Sequence, residues 1–452
     1  ARTTAQAGFH FGRVGKYFND FYNTRLPFPL TGAQKKAIKD IRADTVSGCQ
    51  MNRLLQGDVG SGKTVVALIS MILAVDNGFQ ACIMAPTEIL ARQHYATIVK
   101  MVGDIGLRIA VLTGTTKSKE RREILAALVA GEIDILVGTH ALIEDRVQFA
   151  LLGFVVIDEQ HRFGVEQRQK LLLKSPDGLA PHLLAMTATP IPRSLQLTVF
   201  GDLDVSILNE MPKGRQPITT KILTEVETRE LLYPKIRETL SSGSQAYWIC
   251  KAIDDDPRIE TTSVKSRCAK LQRDFPGVKI EFLHGRMKPA EKDAVMERFS
   301  RGEIQILVST TVVEVGVDVP NSTLMVIENA ESYGLAQLHQ LRGRVGRGSK
   351  ASFCYLLTSG DTRPSQRLRE LEKSTDGFHL AEVDLKLRGP GEIYGALQHG
   401  ALDLRIATLS DTKLIHRAQE DVVKFLQNPE NMVKYKELMS GITKYQQITT
   451  LN

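Results

Sequence analysis

A glycine-rich stretch at residues 56–64 constrains the fold of this chain more than any other feature, because it contains the pattern G-x-x-x-x-G-K-T. An apolar pair precedes the stretch, and a helix-compatible run at residues 65–74 follows it. Strand, glycine turn and helix form the context of a phosphate-binding loop, in which backbone N–H groups and a helix N-terminus surround one anion. An incidental glycine turn before a Lys-Thr pair is the alternative. We expect a nucleoside triphosphate to be bound by Gly57, Asp58, Gly60, Ser61, Gly62, Lys63 and Thr64.

Two side chains of this loop and one upstream glutamine have predicted roles in binding the nucleotide. Lys63 is expected to reach the β- and γ-phosphates, and the Thr64 hydroxyl is expected to bind Mg²⁺. Upstream, Thr31 can cap a following helix, and Gln34 lies three residues later. A glutamine amide offers both a donor and an acceptor, so Gln34 could read the edge of an adenine. The predicted cofactors are therefore ATP and Mg²⁺.

Length and composition indicate an ordinary globular protein. The 452 residues suggest roughly three domains, and 42% of them are hydrophobic. The longest apolar run we find, residues 149–157, is too short to span a bilayer, and no targeting segment opens the chain. The five cysteines lack C-x-x-C spacing, which favours reduced thiols and an intracellular location in cytoplasm or nucleoid. Because the chain begins at Ala1, processing and an organelle stay open. A net charge of +7 permits a polyanionic partner without establishing one.

Short apolar runs alternate with helix-length segments along most of the chain, which predicts an α/β fold with buried parallel strands. A first set of strands is expected at residues 54–55, 81–85, 108–112, 133–137, 154–157 and 183–186. A second set is expected at residues 218–223, 246–250, 280–283, 306–308, 324–327 and 353–357. A polar stretch at residues 209–216 separates the two sets and is the expected linker. We therefore predict two tandem, doubly wound parallel-sheet domains followed by a helical C-terminal extension.

The same patterns divide the chain into four segments. Residues 1–26 form an aromatic-rich lead-in, expected to be helical, whose rings either pack against a core or stack on bases. Residues 27–210 are the expected ATP-binding domain, and residues 211–360 are the expected second domain. Residues 361–452 form a charged extension, in which residues 412–427 have apolar positions at helical spacing.

Two acidic residues directly follow a predicted strand of the first set. The carboxyl ends of parallel strands are where such sheets bind ligands. Asp158 is therefore expected to hold Mg²⁺ through water, and Glu159 to orient or deprotonate the attacking water. A solvated acidic turn is the alternative. After the next predicted strand, the hydroxyls of Thr187 and Thr189 are expected to exchange hydrogen bonds with His161 as the site opens and closes.

Three arginines lie within residues 342–347, before the last strand of the second set. A helical register would place Arg344 and Arg347 on one face, and the adjacent glycines would permit close approach to the first domain. Their planar guanidinium groups suit the charge that spreads over a γ-phosphoryl group. We predict that both arginines complete the hydrolytic site, with Gln340 at the head of the segment as a third catalytic candidate. A basic surface stripe is the alternative.

The order of these motifs resembles that of superfamily 2 helicases and, within them, the RecG family of branch-migrating DNA helicases. The first domain contains GDVGSGKT at 57–64, APTEILARQ at 85–93, LTG at 112–114, GTHALI at 138–143, DEQHRFG at 158–164 and MTATPIPR at 186–193. The second contains FLHGRM at 282–287, STTVVEVGVDVPN at 309–321 and QLHQLRGRVGRG at 337–348. The segment at 376–392 resembles the translocation motif that RecG shares with the transcription-repair coupling factor.

The resemblance implies two RecA-like domains and roles for further residues. Gln34 matches the adenine-reading glutamine, and Gly316 and Asp318 match a motif that couples nucleotide to nucleic acid. Arg388 would anchor a helical hairpin of the translocation motif. Hydroxyls and scattered cations suit phosphate contacts, which position a strand without reading its sequence. The residues matching the nucleic-acid track of the family are Thr87, Arg92, Thr113, Thr139, His284 and Thr310.

Two departures from the family accompany the resemblance. RecG carries an N-terminal wedge domain, whereas only 26 residues precede the first motif-bearing segment here. The family favours Gln-Ser-Gly near the end of the translocation motif, but this chain has His399 at the middle position, which leaves the role of that residue open.

Together, the residues and the resemblance predict an ATP-dependent double-stranded DNA translocase that remodels branched DNA, such as stalled forks and Holliday junctions, in recombination and repair. One alternative is the motor of a transcription-repair coupling factor. Another is a DNA-binding scaffold that uses nucleotide only as a clamp. The expected partners are branched double-stranded DNA and a single-stranded-DNA-binding protein, without a membrane, and the expected state is a monomer.

Overall fold

The computed structural model forms two compact units, and both β-sheets lie in the larger one. The larger unit falls within residues 1–190 and 203–375, and the smaller unit contains the helices after residue 376. The structure describes residues 6–26, 28–175, 179–189, 203–210, 217–224, 227–250, 257–311, 319–348, 350–359, 364–388, 412–426, 428, 430–438 and 440–441.

The first sheet has seven parallel strands in the order β3-β4-β2-β5-β6-β1-β7. All the strands predicted for this sheet are present, which confirms the first half of the fold class. Its strands are β1 Asn52–Gly57, β2 Gln80–Met84, β3 Ile109–Leu112, β4 Ile135–Gly138, β5 Leu152–Ile157, β6 His182–Thr187 and β7 Asp204–Leu208.

The edge strand β7 was not among the predicted strands. Its sequence interrupts apolar residues with Asp204 and Ser206, so it lacks the continuous apolar run of a buried parallel strand. The structure buries Ser206 nevertheless, because its hydroxyl accepts from Arg53 at 2.9 Å and donates to Asp40 at 3.0 Å. A polar side chain satisfied in this way can occupy a core position.

The second sheet has six parallel strands in the order β10-β11-β9-β12-β13-β8. All six coincide with the strands predicted from the apolar runs, with ends shifted by a few residues, and the predicted pair of parallel-sheet domains is confirmed. Its strands are β8 Ile218–Leu223, β9 Gln245–Ile249, β10 Ile280–Leu283, β11 Ile306–Ser309, β12 Ser322–Ile327 and β13 Ser352–Leu357. Residues 211–216 of the predicted linker lie outside the described residues.

Helices connect and flank the strands of the larger unit. The helix α3, which follows the glycine loop, is buried along residues 65–74 and forms the centre of the first core. The described helices of this unit are α1 Lys16–Asp20, α2 Gly32–Thr45, α3 Lys63–Asp76, α4 Glu88–Val102, α5 Ser118–Val129, α6 Val165–Leu172, α7 Tyr233–Ser241, α8 Pro257–Asp274, α9 Pro289–Ser300, α10 Leu335–Arg342 and α11 Gln366–Lys373.

The aromatic lead-in packs against the first sheet. Phe9 and Phe11 are buried, with ring centroids 4.6 and 5.1 Å from that of Phe79, and Phe21 is also buried. Helical structure covers only α1 and the π-helical turn Phe21–Arg25, so residues 6–15 approach the sheet without a helix. These rings support the packing interpretation of the lead-in rather than the base-stacking one.

The smaller unit contains helices α12 Gly377–Arg388, α13 Thr412–Leu426 and α14 Glu430–Lys434. The helix predicted at residues 412–427 is therefore confirmed. Among the described residues, no helix has both the length and the apolarity needed to cross a membrane.

Candidate nucleotide site and nucleic-acid edge

The glycine loop joins β1 to α3 and has the backbone of an anion cradle. Gly60 and Gly62 both adopt positive φ, at 84° and 85°, which L side chains rarely adopt. A Cβ on Gly57 would lie 2.5 Å from the Ser61 hydroxyl, so that position also requires glycine. The Ser61 Oγ is buried and has no hydrogen-bond partner among the described residues. A buried hydroxyl of this kind is suited to a bound phosphate.

Gln34 lies beneath this loop rather than away from it. Its Nε2 donates to the Ser61 carbonyl at 2.8 Å, and its Oε1 accepts from the Thr31 N–H at 2.9 Å. The Thr31 hydroxyl in turn accepts from the Gln34 N–H, which completes a capping box at the start of α2. The predicted cap is therefore observed, and the glutamine that was expected to read adenine is a structural support of the phosphate loop in this structure.

Lys63 is the first residue of α3, and its ammonium is held by the loop. Its Nζ donates to the carbonyls of Gly57 at 2.6 Å and Asp58 at 3.0 Å. Burial lowers the pKa of Lys63, and the nearby charges of Glu159, Asp158 and Asp58 oppose that shift. The phosphate loop and the acidic pair at the end of β5 therefore face each other within electrostatic range, as the sequence predicted.

Asp158 is buried at the end of β5 and is oriented by two hydrogen bonds. Its Oδ2 accepts from His94 Nε2 at 2.8 Å, and its Oδ1 accepts from the Glu159 N–H at 3.0 Å. Burial alone raises the pKa of Asp158, but the hydrogen bond from His94 and the charge of Lys63 outweigh it, so the pKa lies below its ordinary value. Asp158 is therefore ionised, and its carboxylate oxygens are suited to act as metal ligands. His94 was not among the residues predicted from sequence.

Glu159 occupies a strained backbone position. Its φ of 50° is left-handed, which costs free energy for a residue with a side chain and is frequent at functional sites. Burial and the adjacent Asp158 charge raise the pKa of Glu159, whereas Lys63, Arg344 and the Ala188 N–H favour its ionised form. Ala188 belongs to the Thr-rich turn after β6, so this turn contacts the acidic pair directly.

The two threonines of that turn bond to each other. The Thr187 and Thr189 hydroxyls share a hydrogen bond, and the Thr189 carbonyl accepts from Gln56 Nε2 at 3.3 Å. The turn is thus tied to β1, immediately before the phosphate loop. The side chain of His161, expected to exchange bonds with these threonines, lies outside the described residues.

The arginines of the second domain reach the site, but not in the predicted helical register. The helix α10 ends at Arg342, Gly343 is its C-cap, and Gly346 has a φ of 75°, so Arg344 and Arg347 lie in the turns that follow the helix. The prediction that one helix face presents both residues was wrong, since the helix ends at its C-cap Gly343 and the positive φ of Gly346 prevents it from resuming.

Both arginines nevertheless lie within electrostatic range of residues of the first domain that were predicted to act on the nucleotide. Arg344 is buried, and its charge favours the ionised form of Glu159. The charge of Arg347 acts on Lys63. Gly343 lies against the loop residue Val59, where an added Cβ would come within 3.2 Å of the valine Cβ. Gln340, the third catalytic candidate, is also buried.

A second cross-domain contact was not predicted from sequence. The Asp58 Oδ1 accepts from His339 Nε2 at 3.0 Å, and His339 Nδ1 accepts from Arg342 Nη2 at 2.8 Å. Asp58 was expected to serve the nucleotide as part of the loop, but its carboxylate faces the second domain. The sequence carried a signal only for the pair within the second domain, namely a histidine three residues before an arginine in a helix, which places both on one face.

The first sheet brings together the residues expected to contact nucleic acid. Strands β3, β4 and β2 are neighbours, so the segments after their carboxyl ends share one edge of the sheet. Thr113 follows β3, Thr139 follows β4, and Thr87 caps α4 after β2 by accepting from the Leu90 N–H at 3.3 Å. The strands of the phosphate loop and the acidic pair occupy the other part of the same edge.

The candidate nucleic-acid contacts of the first domain differ in their exposure to solvent. Arg92 is exposed and donates to the Thr115 hydroxyl at 3.3 Å, so it is available to a phosphate. Thr113 is fully buried, with its hydroxyl close to those of Thr115 and Thr116. In this structure, Thr113 shapes its own turn instead of presenting its hydroxyl to solvent.

The second sheet places two further candidates side by side. His284 follows β10 and Thr310 follows β11, and these strands are neighbours. The Thr310 Oγ1 is buried without a hydrogen-bond partner among the described residues, and His284 stacks on Phe282 with centroids 5.9 Å apart. Gly316, Asp318 and His399 lie outside the described residues, as does the side chain of Arg388.

Models of known families match most of the chain. A model of the DEAD/DEAH box helicase family matches residues 31–198, and a model of the helicase conserved C-terminal domain matches residues 229–349. A model of the C-terminal part of domain 3 of the ATP-dependent DNA helicase RecG matches residues 374–448. The three matches follow the chain in the order of the two sheets and the smaller unit.

Relatives named ATP-dependent DNA helicase RecG are similar over most of this chain. That of Synechocystis is 49% identical over 94% of this chain and 51% of its own length. That of Bacillus subtilis is 47% identical over 92% of this chain and 62% of its own length. The chain therefore spans about half to three fifths of the length of these relatives.

Solved structures give the same result for the fold. A structure of RecG bound to a three-way DNA junction is similar with a TM-score of 0.78 and 44% identity, over 90% of this chain and 53% of that one. The helicase MrfA bound to DNA is similar with a TM-score of 0.58 at 17% identity, over 82% of this chain and 55% of that one, and shows the fold alone.

Proposed function

Since this chain belongs to the RecG family by its helicase core and its C-terminal segment, we propose that it is an ATP-driven motor that translocates on double-stranded DNA and remodels branched DNA. The observation that carries the proposal is the position of Arg344. It comes from the second domain, yet its charge reaches Glu159 in the first. A site divided between two domains can couple hydrolysis to their relative motion.

The residues present fit a magnesium–nucleotide complex. Asp158 is ionised despite its burial, and a carboxylate with a hydroxyl such as that of Thr64 supplies the oxygen ligands that Mg²⁺ prefers. The buried Ser61 hydroxyl and the cradle at Gly57 accommodate a phosphate. Thr64 and Asp158 would hold the metal, which neutralises phosphate charge when bound.

The chain's own groups then have separate tasks in hydrolysis. Lys63 would leave the loop carbonyls that it bonds here and pair with the β- and γ-phosphates. Glu159 would orient the attacking water and accept its proton, with the Ala188 N–H fixing the carboxylate. Arg344 and Arg347 would stabilise the negative charge that spreads over the transferred group. Gln34 would hold the loop from below.

DNA would lie along the edge defined by β3, β4 and β2 in the first sheet and by β10 and β11 in the second. Thr87, Arg92, Thr139, His284 and Thr310 supply donors near that edge, which suits contacts with phosphates. The similarity to RecG bound to a three-way junction supports branched DNA as the substrate. The domain division at residues 27–210, 211–360 and 361–452 is part of this proposal.

Phosphate release with no DNA, with linear duplex and with a three-way junction tests the function directly. We expect the junction to stimulate hydrolysis most and to be unwound when ATP is present. A chain that binds ATP and junctions but releases no phosphate would instead be a nucleotide-clamped scaffold. Displacement of a stalled RNA polymerase without junction unwinding would favour a coupling-factor motor.

Three finer parts of the proposal concern assembly and location. We propose a monomeric motor, which light scattering on a junction-bound sample would test. A single-stranded-DNA-binding protein is the proposed protein partner, and a pull-down with the purified protein would test it. Intracellular residence in cytoplasm or nucleoid follows from the DNA substrate, and microscopy of a tagged chain would test it.

A further inference from the structure

Three side chains form a continuous hydrogen-bonded chain between the phosphate loop and the second domain. His339 lies between Asp58, at 3.0 Å from its Nε2, and Arg342, at 2.8 Å from its Nδ1. All three residues are buried. The contact joins positions 281 residues apart in sequence, so it exists only while the two domains are together.

The partners of His339 fix the hydrogens on its ring. An arginine guanidinium can only donate, so Nδ1 must accept and carries no hydrogen. The hydrogen then lies on Nε2, which donates to the Asp58 carboxylate. The imidazole is therefore the neutral tautomer and connects a donor in one domain to an acceptor in the other.

Arg342 is itself fixed to the second domain. Its Nη1 donates to the carbonyls of Leu371 at 2.7 Å and Ser374 at 2.8 Å, and approaches the Thr220 hydroxyl at 3.4 Å. These contacts connect the end of α10 to the end of α11 and to the strand β8. The guanidinium thus holds His339 in place from the side away from the nucleotide loop.

The position of these three hydrogen-bonded side chains matters because the arginines of the hydrolytic site follow Arg342 directly in the sequence. His339 lies in the last turn of α10, and Arg344 and Arg347 occupy the turns just after it. Their backbone contains glycines that do not determine one geometry by themselves. A fixed contact one helical turn upstream sets the position from which those turns begin.

We propose that His339 is a positioning residue that bonds to Asp58 of the phosphate loop when the domains close, and thereby presents Arg344 and Arg347 to the γ-phosphate. This inference rests on the proposed function of the same site. In the open state, Asp58 and His339 would each be hydrated, and the arginines would lose their fixed approach. His339 itself does not contact the reacting atoms.

Kinetics of the 452-residue chain with three variants test the role. His339→Ala should lower kcat for junction-stimulated hydrolysis roughly tenfold or more, because it removes a hydrogen bond to a buried carboxylate. Its affinity for ADP, which has no γ-phosphate for the arginines, should change by less than about threefold. His339→Gln should restore kcat to within about threefold, since its amide can donate to Asp58 and accept from Arg342 together.

A double-mutant cycle isolates the contact with Asp58. Asp58→Ala and His339→Ala combined should lose no more kcat than the worse single variant, because both remove the same bond. His10→Ala, at an exposed position of the lead-in, is the matched histidine control and should retain wild-type kinetics. Additive losses in the cycle would overturn the proposed partner.

Closure can be measured without hydrolysis. Cys49 is the exposed one of the five cysteines, so it and an added thiol at Lys270→Cys on the exposed face of α8 can carry spin labels in the two domains. With a non-hydrolysable ATP analogue, His339→Ala should broaden and lengthen the inter-label distances, and His339→Gln should restore them.

The outcomes separate this inference from the proposed function. If the wild-type chain closes on the analogue but does not hydrolyse ATP, the function fails while the distance measurement still tests His339. Wild-type distances together with wild-type kcat in His339→Ala would overturn the positioning role. Failure of His339→Gln to rescue, with equal loss of thermal stability in both variants, would indicate a packing role and also overturn it.

Discussion

His94 Nε2 lies 2.8 Å from Asp158 Oδ2, so the helix α4, which Thr87 caps on the nucleic-acid edge, bonds directly to the carboxylate proposed to hold magnesium. The strand order places β2 next to β5, which brings the helix after β2 over the end of β5. Through this contact, nucleic-acid binding near Thr87 can alter the orientation of the Asp158 carboxylate at the other part of the sheet edge.

We predict that His94→Ala raises the Mg²⁺ concentration required for half-maximal hydrolysis by roughly 10- to 100-fold, the usual effect of removing a group that orients a metal ligand. Magnesium titrations at saturating ATP measure it. His10→Ala serves as the control, and an unchanged magnesium requirement in His94→Ala would contradict the orienting role.

For catalysis, Glu159→Gln should leave ATP binding nearly intact and slow hydrolysis by roughly 10²–10⁴-fold, because the amide cannot accept a proton from water. Nucleotide affinity and single-turnover rates measure the two effects separately. Near-normal turnover in this variant would remove Glu159 from the mechanism.

Loss of an arginine from the hydrolytic site should affect turnover more than nucleotide binding. Arg344→Ala is expected to lower kcat far more than it weakens ATP binding, since the charge that it meets develops in the transition state. Steady-state kinetics with a parallel binding isotherm test this expectation. A binding defect with normal turnover at saturation would show that Arg344 contributes only to a basic surface.

Acid should destabilise the first domain through His182. Burial lowers the pKa of His182 from 6.5 to about 4, while its Nε2 donates to the Phe9 carbonyl and its Nδ1 accepts from the Met51 N–H. The unfolded chain therefore binds the proton more readily, and stability is lost as pH falls from about 6.5 towards 4. The contribution is on the order of 3 kcal/mol.

Denaturant unfolding between pH 7.5 and 5 measures this loss. His182→Gln keeps a donor and an acceptor but cannot titrate, so its free energy of unfolding should vary less with pH than that of wild type. Equal slopes in the two proteins would assign the acid sensitivity to other groups.

The role of Arg388 remains a prediction from the resemblance to the translocation motif. Arg388→Ala should retain DNA-stimulated hydrolysis while unwinding of junctions falls steeply, because coupling rather than chemistry is lost. Lys386→Ala, an exposed change on the same helix α12, is the control. A joint decline of thermal stability, hydrolysis and unwinding would show that Arg388 only packs.

Local sequence patterns were sufficient to predict much of the fold and of the nucleotide site. The phosphate loop was predictable because its glycines specify backbone angles that other residues rarely adopt, and these angles are observed at Gly60 and Gly62. The parallel strands were predictable because a strand buried on both faces needs a continuous apolar run. Asp158 and Glu159 followed from their position at a strand end.

The tertiary structure alone decided which of these local features meet. Strand order is not encoded in any one strand, so the contact of His94 with Asp158 appeared only in the folded chain. The glycines after Arg342 ended a helix that periodicity alone would have continued. His339 gave no sequence signal for Asp58, because a hydrogen bond between side chains 281 residues apart depends on how two domains pack and leaves no periodic trace in either segment.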